Sequence, residues 1–322
     1  MTVSFLVSVP ATSANLGPGF DCLGLALDLW NQAEFSIRRF SDSSDSNDSA
    51  RPGDTLGISL EIEGCGAKIL PRDETNLIVK AARALSARVQ IPLPAGINIR
   101  CRNGFPPGSG LGSSSSAILL GLVGANTLLN QPLSPAELLT FASEMEGHPD
   151  NVTPALLGGL TVSTVHEGQV IARKFSVAPV SLAVVIPAFE LSTHAARAAL
   201  PKQIPLADAV YNLGRVPLVV EALRSGDLAL LAQVMEDRLH QPYRLPLYPG
   251  AQAAFEAARG AGASAVAISG AGPGVIAFSE NEFISQQTAT AMSQAFCEAR
   301  LEVWVCVTRV AEEGTRVESG TG

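Results

Sequence analysis

Residues 106–116, Pro-Pro-Gly-Ser-Gly-Leu-Gly-Ser-Ser-Ser-Ser, constrain this chain more than any other stretch. Glycines at 108, 110 and 112 open backbone conformations closed to other residues and let another group approach the main chain closely. Before the run, Ile97–Cys101 alternates as a strand does; after it, Ser113–Leu129 is rich in Ala, Leu and Gly and reads as a tightly packed helix. A strand, a glycine loop and a helix N-terminus in succession form a natural anion cradle, because the first helical N–H groups have no partner and the helix dipole favours negative charge. Taken alone, the run also fits a plain tight turn before a packed helix. It is not a Walker loop, since no Gly-Lys-Ser/Thr closes it. Nor is it a dinucleotide fingerprint: the spacing is wrong and no acidic residue ends a following strand.

Two further Gly-rich segments give the loop a context. Pro10–Asp21 (PATSANLGPGFD) gathers small residues and one amide around a turn that ends in Asp21. Ser269–Phe278 (SGAGPGVIAF) sets a second turn before an apolar strand. Three such loops among otherwise ordinary turns predict one shared concave site.

The rest of the chain alternates irregularly. Strands are expected at Val3–Val9 (stopped by Pro10), Ala33–Phe40, Ser59–Glu63, Gly158–Val165, Ser181–Ile186 and Leu301–Val307, with a strand–turn–strand unit over Ala265–Phe278. Helices are expected at Asn76–Arg88, Glu137–Glu146, His194–Leu200, Ala207–Leu223, Asp227–Asp237 and Gln286–Arg300. Ser134 and Pro135 read as the N-cap and first residue of the second of these. Without strict βαβ alternation, the pattern predicts an α+β fold. The tract Ser41–Asp54 has too few apolar residues to bury and is expected to be a surface loop.

Composition narrows the classes. Of 322 residues, 47% are hydrophobic and only 16% charged, so a large core is available; the net charge of -8 argues against a nucleic-acid partner. The five cysteines show no metal or disulfide spacing and read as reduced thiols. No stretch has the length of apolar sequence that spans a bilayer. A cytoplasmic protein without membrane partners is the default expectation.

The three Gly-rich segments, in this order, resemble the signature motifs of the GHMP kinases, the superfamily of galacto-, homoserine, mevalonate and phosphomevalonate kinases. Pro10–Asp21, EGHPDNVTPALLGG at Glu146–Gly159 and LSTHAAR at Leu191–Arg197 resemble the homoserine kinase branch. The resemblance implies an α+β N-terminal domain (residues 1–165) related to one domain of a ribosomal protein, and a ferredoxin-like C-terminal domain (166–322), with the active site between them. It also implies phosphoryl transfer from ATP, with Mg²⁺, to the hydroxyl of L-homoserine on the way to threonine. A homodimer is one option for the assembly.

Carried over by position, the resemblance makes Pro106, Pro107, Gly108, Ser109, Gly110, Leu111, Gly112, Ser113, Ser114, Ser115 and Ser116 the ATP-binding loop. Ser114 and Glu144 become Mg²⁺ ligands, with Glu146 the alternative because a length difference before His148 leaves the match ambiguous. Asn15 is implied near the acceptor hydroxyl and Asp21 against its ammonium. His148, Asp150, Asn151, Thr193, Arg197 and Arg244 are implied around the acceptor, the two arginines toward its carboxylate. Asn15, Asp21, Asp150 and Arg197 are the expected catalytic set, and Asp150 is the nearest match to a catalytic aspartate. Two departures stand out: Gly274 replaces the family's Ser or Thr, and the 41–54 insertion is long.

Overall fold

Strand β1 (Ser4–Ala14) does not stop at Pro10. It runs on antiparallel to β2 (Leu23–Ile37), and the register shifts between Pro10 and Ala11. Proline has no N–H for the ladder, and a bulge at that point lets the strand pass it. The computed structural model describes residues 4–37, 57–189 and 191–319; the expected Ser/Asp loop at 41–54 lies outside them.

Among the described residues, seven strands form one sheet. Its spine runs β11 (Arg316–Ser319), β1, β2, β4 (Ile97–Asn103), β3 (Ser59–Gly64), with β3 parallel to β4. Strand β5 (Leu160–His166) pairs with the start of β2, and β6 (Gln169–Phe175) pairs with β5. Helices α1 (Leu77–Val89), α2 (Ser113–Leu128), α3 (Pro135–Glu146) and α4 (Pro149–Leu157) cover this sheet around a core that includes Val7, Phe35, Ile99 and Leu119. The small residues of α2 serve this packing. A side chain at Gly124 would overlap the Phe35 ring, and one at Gly121 would overlap the Ile78 carbonyl of α1.

The second sheet, β10 (Val303–Thr308), β7 (Ser181–Pro187), β9 (Val275–Ser279), β8 (Ala265–Ile268), is antiparallel throughout. This order, last strand beside first and third beside second, is the ferredoxin-like arrangement. Along β7 successive residues face opposite ways, as strand geometry requires. Ala183 and Val185 pack with Phe255 of α9 (Ala251–Gly260) and Met292 and Phe296 of α10 (Glu282–Glu298). Leu182, Val184 and Ile186 instead share a core with Leu23 and Leu25 of β2, Val219 of α6 (Leu206–Ser225) and Leu231 of α7 (Leu228–Val234). Each such aliphatic contributes about 1.5–3 kcal/mol when fully buried. This second cluster therefore joins the two sheets and sets the spacing between them. Two short helices, α5 (Thr193–Ala198) and α8 (Gln241–Arg244), lie between the longer elements.

The expected boundary between 165 and 166 falls at the end of β5, inside the β5–β6 hairpin, and the C-terminal strand β11 returns to β1. Sheet pairing thus assigns residues 169–175 and 316–319 to the first sheet. Helix α4, β6, α9 and β11 were not foreseen. Among the described residues no helix is long and apolar enough to cross a membrane.

Candidate active site

The three Gly-rich segments meet and bond to one another. Gly108, Gly110 and Gly112 all have left-handed backbones, with φ of 66°, 79° and 64°. The Leu111 carbonyl accepts from Thr12 N at 3.1 Å, the Gly110 carbonyl from Ser269 Oγ at 2.7 Å, and the Ser109 carbonyl from Gly274 N at 3.2 Å. Gly270 N donates to the Ala14 carbonyl at 3.1 Å, closing the triangle. A side chain at Gly274 would overlap the Ser109 carbonyl, so the missing Ser or Thr reflects a close backbone contact in this chain.

Together the loops line a cavity of about 710 Å³. Pro107, Gly108, Ser109, Gly110, Gly112, Ser113 and Ser114 line it, whereas Pro106, Leu111, Ser115 and Ser116 do not. Leu111, Ser115 and Ser116 are fully buried beneath the loop, and Pro106 is partly buried outside the cavity. Helix geometry separates the two acidic candidates in the same way. Glu144 and Glu146 differ by two residues on α3, about 200° of helix rotation. Glu144 faces away and pairs with Arg88 at 2.5 and 3.3 Å, while Glu146 faces the cavity and accepts from Ser114 Oγ at 2.5 Å. Of the two expected candidates, Glu146 thus lines the cavity and Glu144, the preferred one, does not.

On the acceptor side, Asn15, Asp21, His148, Asp150, Asn151, Arg197 and Arg244 all line the same cavity. Asn15 is itself left-handed, φ 72°. Its amide is already engaged: Nδ2 donates to the Gly270 carbonyl at 2.7 Å, and Oδ1 accepts from Asp21 N at 3.0 Å. It holds the first loop against the third. Asn151 Oδ1 accepts from Thr12 Oγ1 at 2.8 Å. Thr193 opens α5, but its side chain lies outside what the structure describes.

Charge is arranged in three ways. Arg197 donates two parallel bonds to Asp21, Nη1 to Oδ2 at 2.7 Å and Nη2 to Oδ1 at 2.8 Å, and this hydrogen bond raises the arginine pKa above its ordinary value. His148 Nδ1 lies 2.5 Å from Asp150 Oδ1. Burial alone would depress the imidazole, but the Asp150 bond and charge, with Glu146 and Asp21 behind them, hold it above the usual range. Arg244 is 1% exposed, and among the described residues its hydrogen-bond acceptors are neutral: the carbonyls of Ala196 and Gly270 and the imidazole of His240. Burial lowers its pKa. A guanidinium stays protonated in a protein, so such a site favours an incoming anion.

One part of the cavity carried no sequence signal. Ile62, Leu70, Pro71, Ile78 and Cys101, with Asn76 and Asn103, extend it between β3, β4 and the start of α1. Ordinary aliphatics at strand and helix spacing read as core, and only their convergence beside the glycine loop marks them. Residues 76–159 match the model described as GHMP kinases N terminal domain, and 219–299 match GHMP kinases C terminal. The chain is 44% identical over 292 residues to a homoserine kinase of Moorella thermoacetica, covering 90% of this chain and 92% of that one. It is 41% identical to a homoserine kinase of a Synechococcus strain, covering 98% of both. The crystal structure of homoserine kinase from Cytophaga hutchinsonii superposes with a TM-score of 0.83 at 31% identity, over 98% of this chain and 97% of that one. The crystal structure of L. major mevalonate kinase shares the fold at a TM-score of 0.71 and 16% identity, over 95% of each chain. With its glycine loops, its ferredoxin-like second sheet and relatives of this closeness, the chain belongs to the GHMP kinase family, on its homoserine kinase branch.

Proposed function

We propose that this chain transfers the γ-phosphoryl group of ATP to the side-chain hydroxyl of L-homoserine, giving O-phospho-L-homoserine and ADP. The observation that carries this reading is that one cavity holds both an anion cradle and a zwitterion's worth of charge. The glycine loop supplies backbone N–H groups, while Asp21, Arg197 and the buried Arg244 supply one anion and two cations.

The residues present fit the nucleotide. The space over Gly108 is open, the start of α2 offers unpaired N–H groups, and the aliphatic extension has room and polarity for a base. Ser114 and Glu146 would hold Mg²⁺ together with phosphate oxygens, one hydroxyl and one carboxylate being a sufficient protein share for that ion. Mg²⁺ bound there would neutralise charge on the phosphate oxygens. Glu146→Gln is expected to lower kcat/KM by about 10²-fold and to raise the Mg²⁺ requirement. Glu144→Gln loses only an exposed pair, about 0–1 kcal/mol, and should stay near wild type. The reverse ranking would return the metal role to Glu144.

Positioning dominates phosphoryl transfer, whose transition state is loose. Arg197 and Arg244 orient the acceptor by its carboxylate, and Asp21 by its ammonium, which places the hydroxyl in line with the loop. Asp150, buried and tied to His148, is the carboxylate set to receive the hydroxyl proton. Asp150→Asn is expected to lower kcat by about 10²-fold; unchanged kcat would remove the base from the mechanism. The reading as a whole is tested by a coupled ADP assay with homoserine, mevalonate and other alcohols. Turnover of another alcohol in preference to homoserine defeats it.

A further inference from the structure

Two groups that this mechanism leaves unused lie against the acceptor arginines: the Phe20 ring and the His240 imidazole. Phe20 sits in the first Gly-rich turn, next to Asp21. Both guanidiniums approach its face, Arg244 at 5.2 Å and Arg197 at 5.4 Å from the ring centroid. The His240 ring stacks on it at 5.2 Å, with 25° between planes. A ring face carries negative charge density, so it attracts each of two cations that would otherwise repel one another across a small site.

The bonds of His240 settle its tautomer. Nε2 lies 2.8 Å from the Gly17 carbonyl, which only accepts, so Nε2 carries the proton. Nδ1 then turns its lone pair to Arg244 Nη1, 3.4 Å away, which only donates. Burial is the strongest influence on this imidazole and lowers its pKa; Arg244 adds to that, and Asp237 opposes it. A neutral ring is what the contact with Arg244 needs.

His240 is itself held from below. Asp237 stands 3.5 Å from Nε2 and accepts from the backbone N–H groups of Leu239, His240 and Gln241 at 2.8, 2.9 and 2.6 Å. Asn212 of α6 donates to Asp237 at 2.7 Å and to the Pro18 carbonyl at 3.0 Å. One buried network therefore ties the Gly17–Asp21 turn to the segment that carries Arg244.

We infer that Phe20 and His240 form the positioning unit of the acceptor site, seating both arginines on one ring and aiming Arg244 at the substrate carboxylate. This rests on the acceptor reading above, and the test separates the two. Phe20→Leu keeps apolar volume without the ring face; His240→Gln keeps a donor for Gly17 without the Nδ1 lone pair. Each is expected to raise the homoserine KM about tenfold or more while the ATP KM stays within about twofold. Phe20→Tyr, which retains the ring face, should restore the homoserine KM. In ¹⁵N-arginine-labelled protein without substrate, Arg244 Nε–H exchange should accelerate in the Leu and Gln variants, with Arg88 unchanged as the internal control. Unchanged homoserine KM, equal rises for both substrates, a Tyr variant as impaired as Leu, or unaltered Arg244 exchange would each overturn the positioning role. Wild-type enzyme inactive on homoserine defeats the acceptor reading instead, and the exchange measurement still decides the positioning role.

Discussion

Asp21→Asn is expected to raise the homoserine KM by about 10–150-fold, the value of a hydrogen bond between charged groups, and to leave the ATP KM unchanged. In the structure Asp21 and Arg197 satisfy each other through two parallel bonds. Only a ligand bearing both an ammonium and a carboxylate can replace each partner without stranding the other. On the proposed reading a hydroxy acid satisfies Arg197 and leaves Asp21 unpaired, so the pair would select amino acids by a penalty on everything else. The substitution isolates this effect. Asn keeps the shape and tolerates the left-handed backbone at this position, φ 56°. The pair is partly exposed, 44% and 33%, so stability should change by no more than about 1 kcal/mol. The decisive comparison is with 4-hydroxybutyrate, which is homoserine without its amino group. Wild type should discriminate strongly against it, and the Asn variant much less. If discrimination survives in the variant, Asp21 does not read the ammonium.

Gly110→Ala is expected to lower kcat/KM for ATP by about 10²-fold or more and to lower Tm by several degrees. Its left-handed φ costs any other residue roughly 1–2 kcal/mol before contacts are considered. The added carbon would also overlap the Ser269 carbonyl and crowd that of Gly272, at 3.1 Å. Both are backbone atoms of the third loop, so no side chain can swing aside, and the 106–116 loop and the third loop would have to part. Gly108→Ala is the matched control: φ is 66°, with nothing within 4 Å of the new carbon. In Tm it should cost only the backbone strain. Equal losses of Tm for the two variants would show that glycine is needed for conformation alone and that the inter-loop contact is dispensable to the fold.

Much of the local structure was legible because it depends on near neighbours. Ser134 and Glu137 form the capping box that starts α3, a pattern written within four residues. The glycine loop followed by a helix was visible for the same reason. Helix α4 was not, since Pro149 and Pro154 look like breakers. Pro149 occupies the first helical position, where no N–H is required, and the helix accommodates Pro154 within its short span. The strand through Pro10 escaped notice because a bulge depends on the partner strand, which no local pattern names.

The site divides along the same line. By itself the sequence determined the family, the α+β class, and the three loops that converge, because glycine spacing and short motifs encode backbone conformation directly. Tertiary structure alone decided which side chains of those motifs face the cavity. Rotation along one helix turned Glu144 out to Arg88 and Glu146 in to Ser114. Close packing buried Leu111, Ser115 and Ser116 beneath the loop they belong to. Residues more than two hundred positions apart, His240 and Gly17, became hydrogen-bonded partners. Direction and burial are properties of the packed whole, and neither is carried by spacing along a chain.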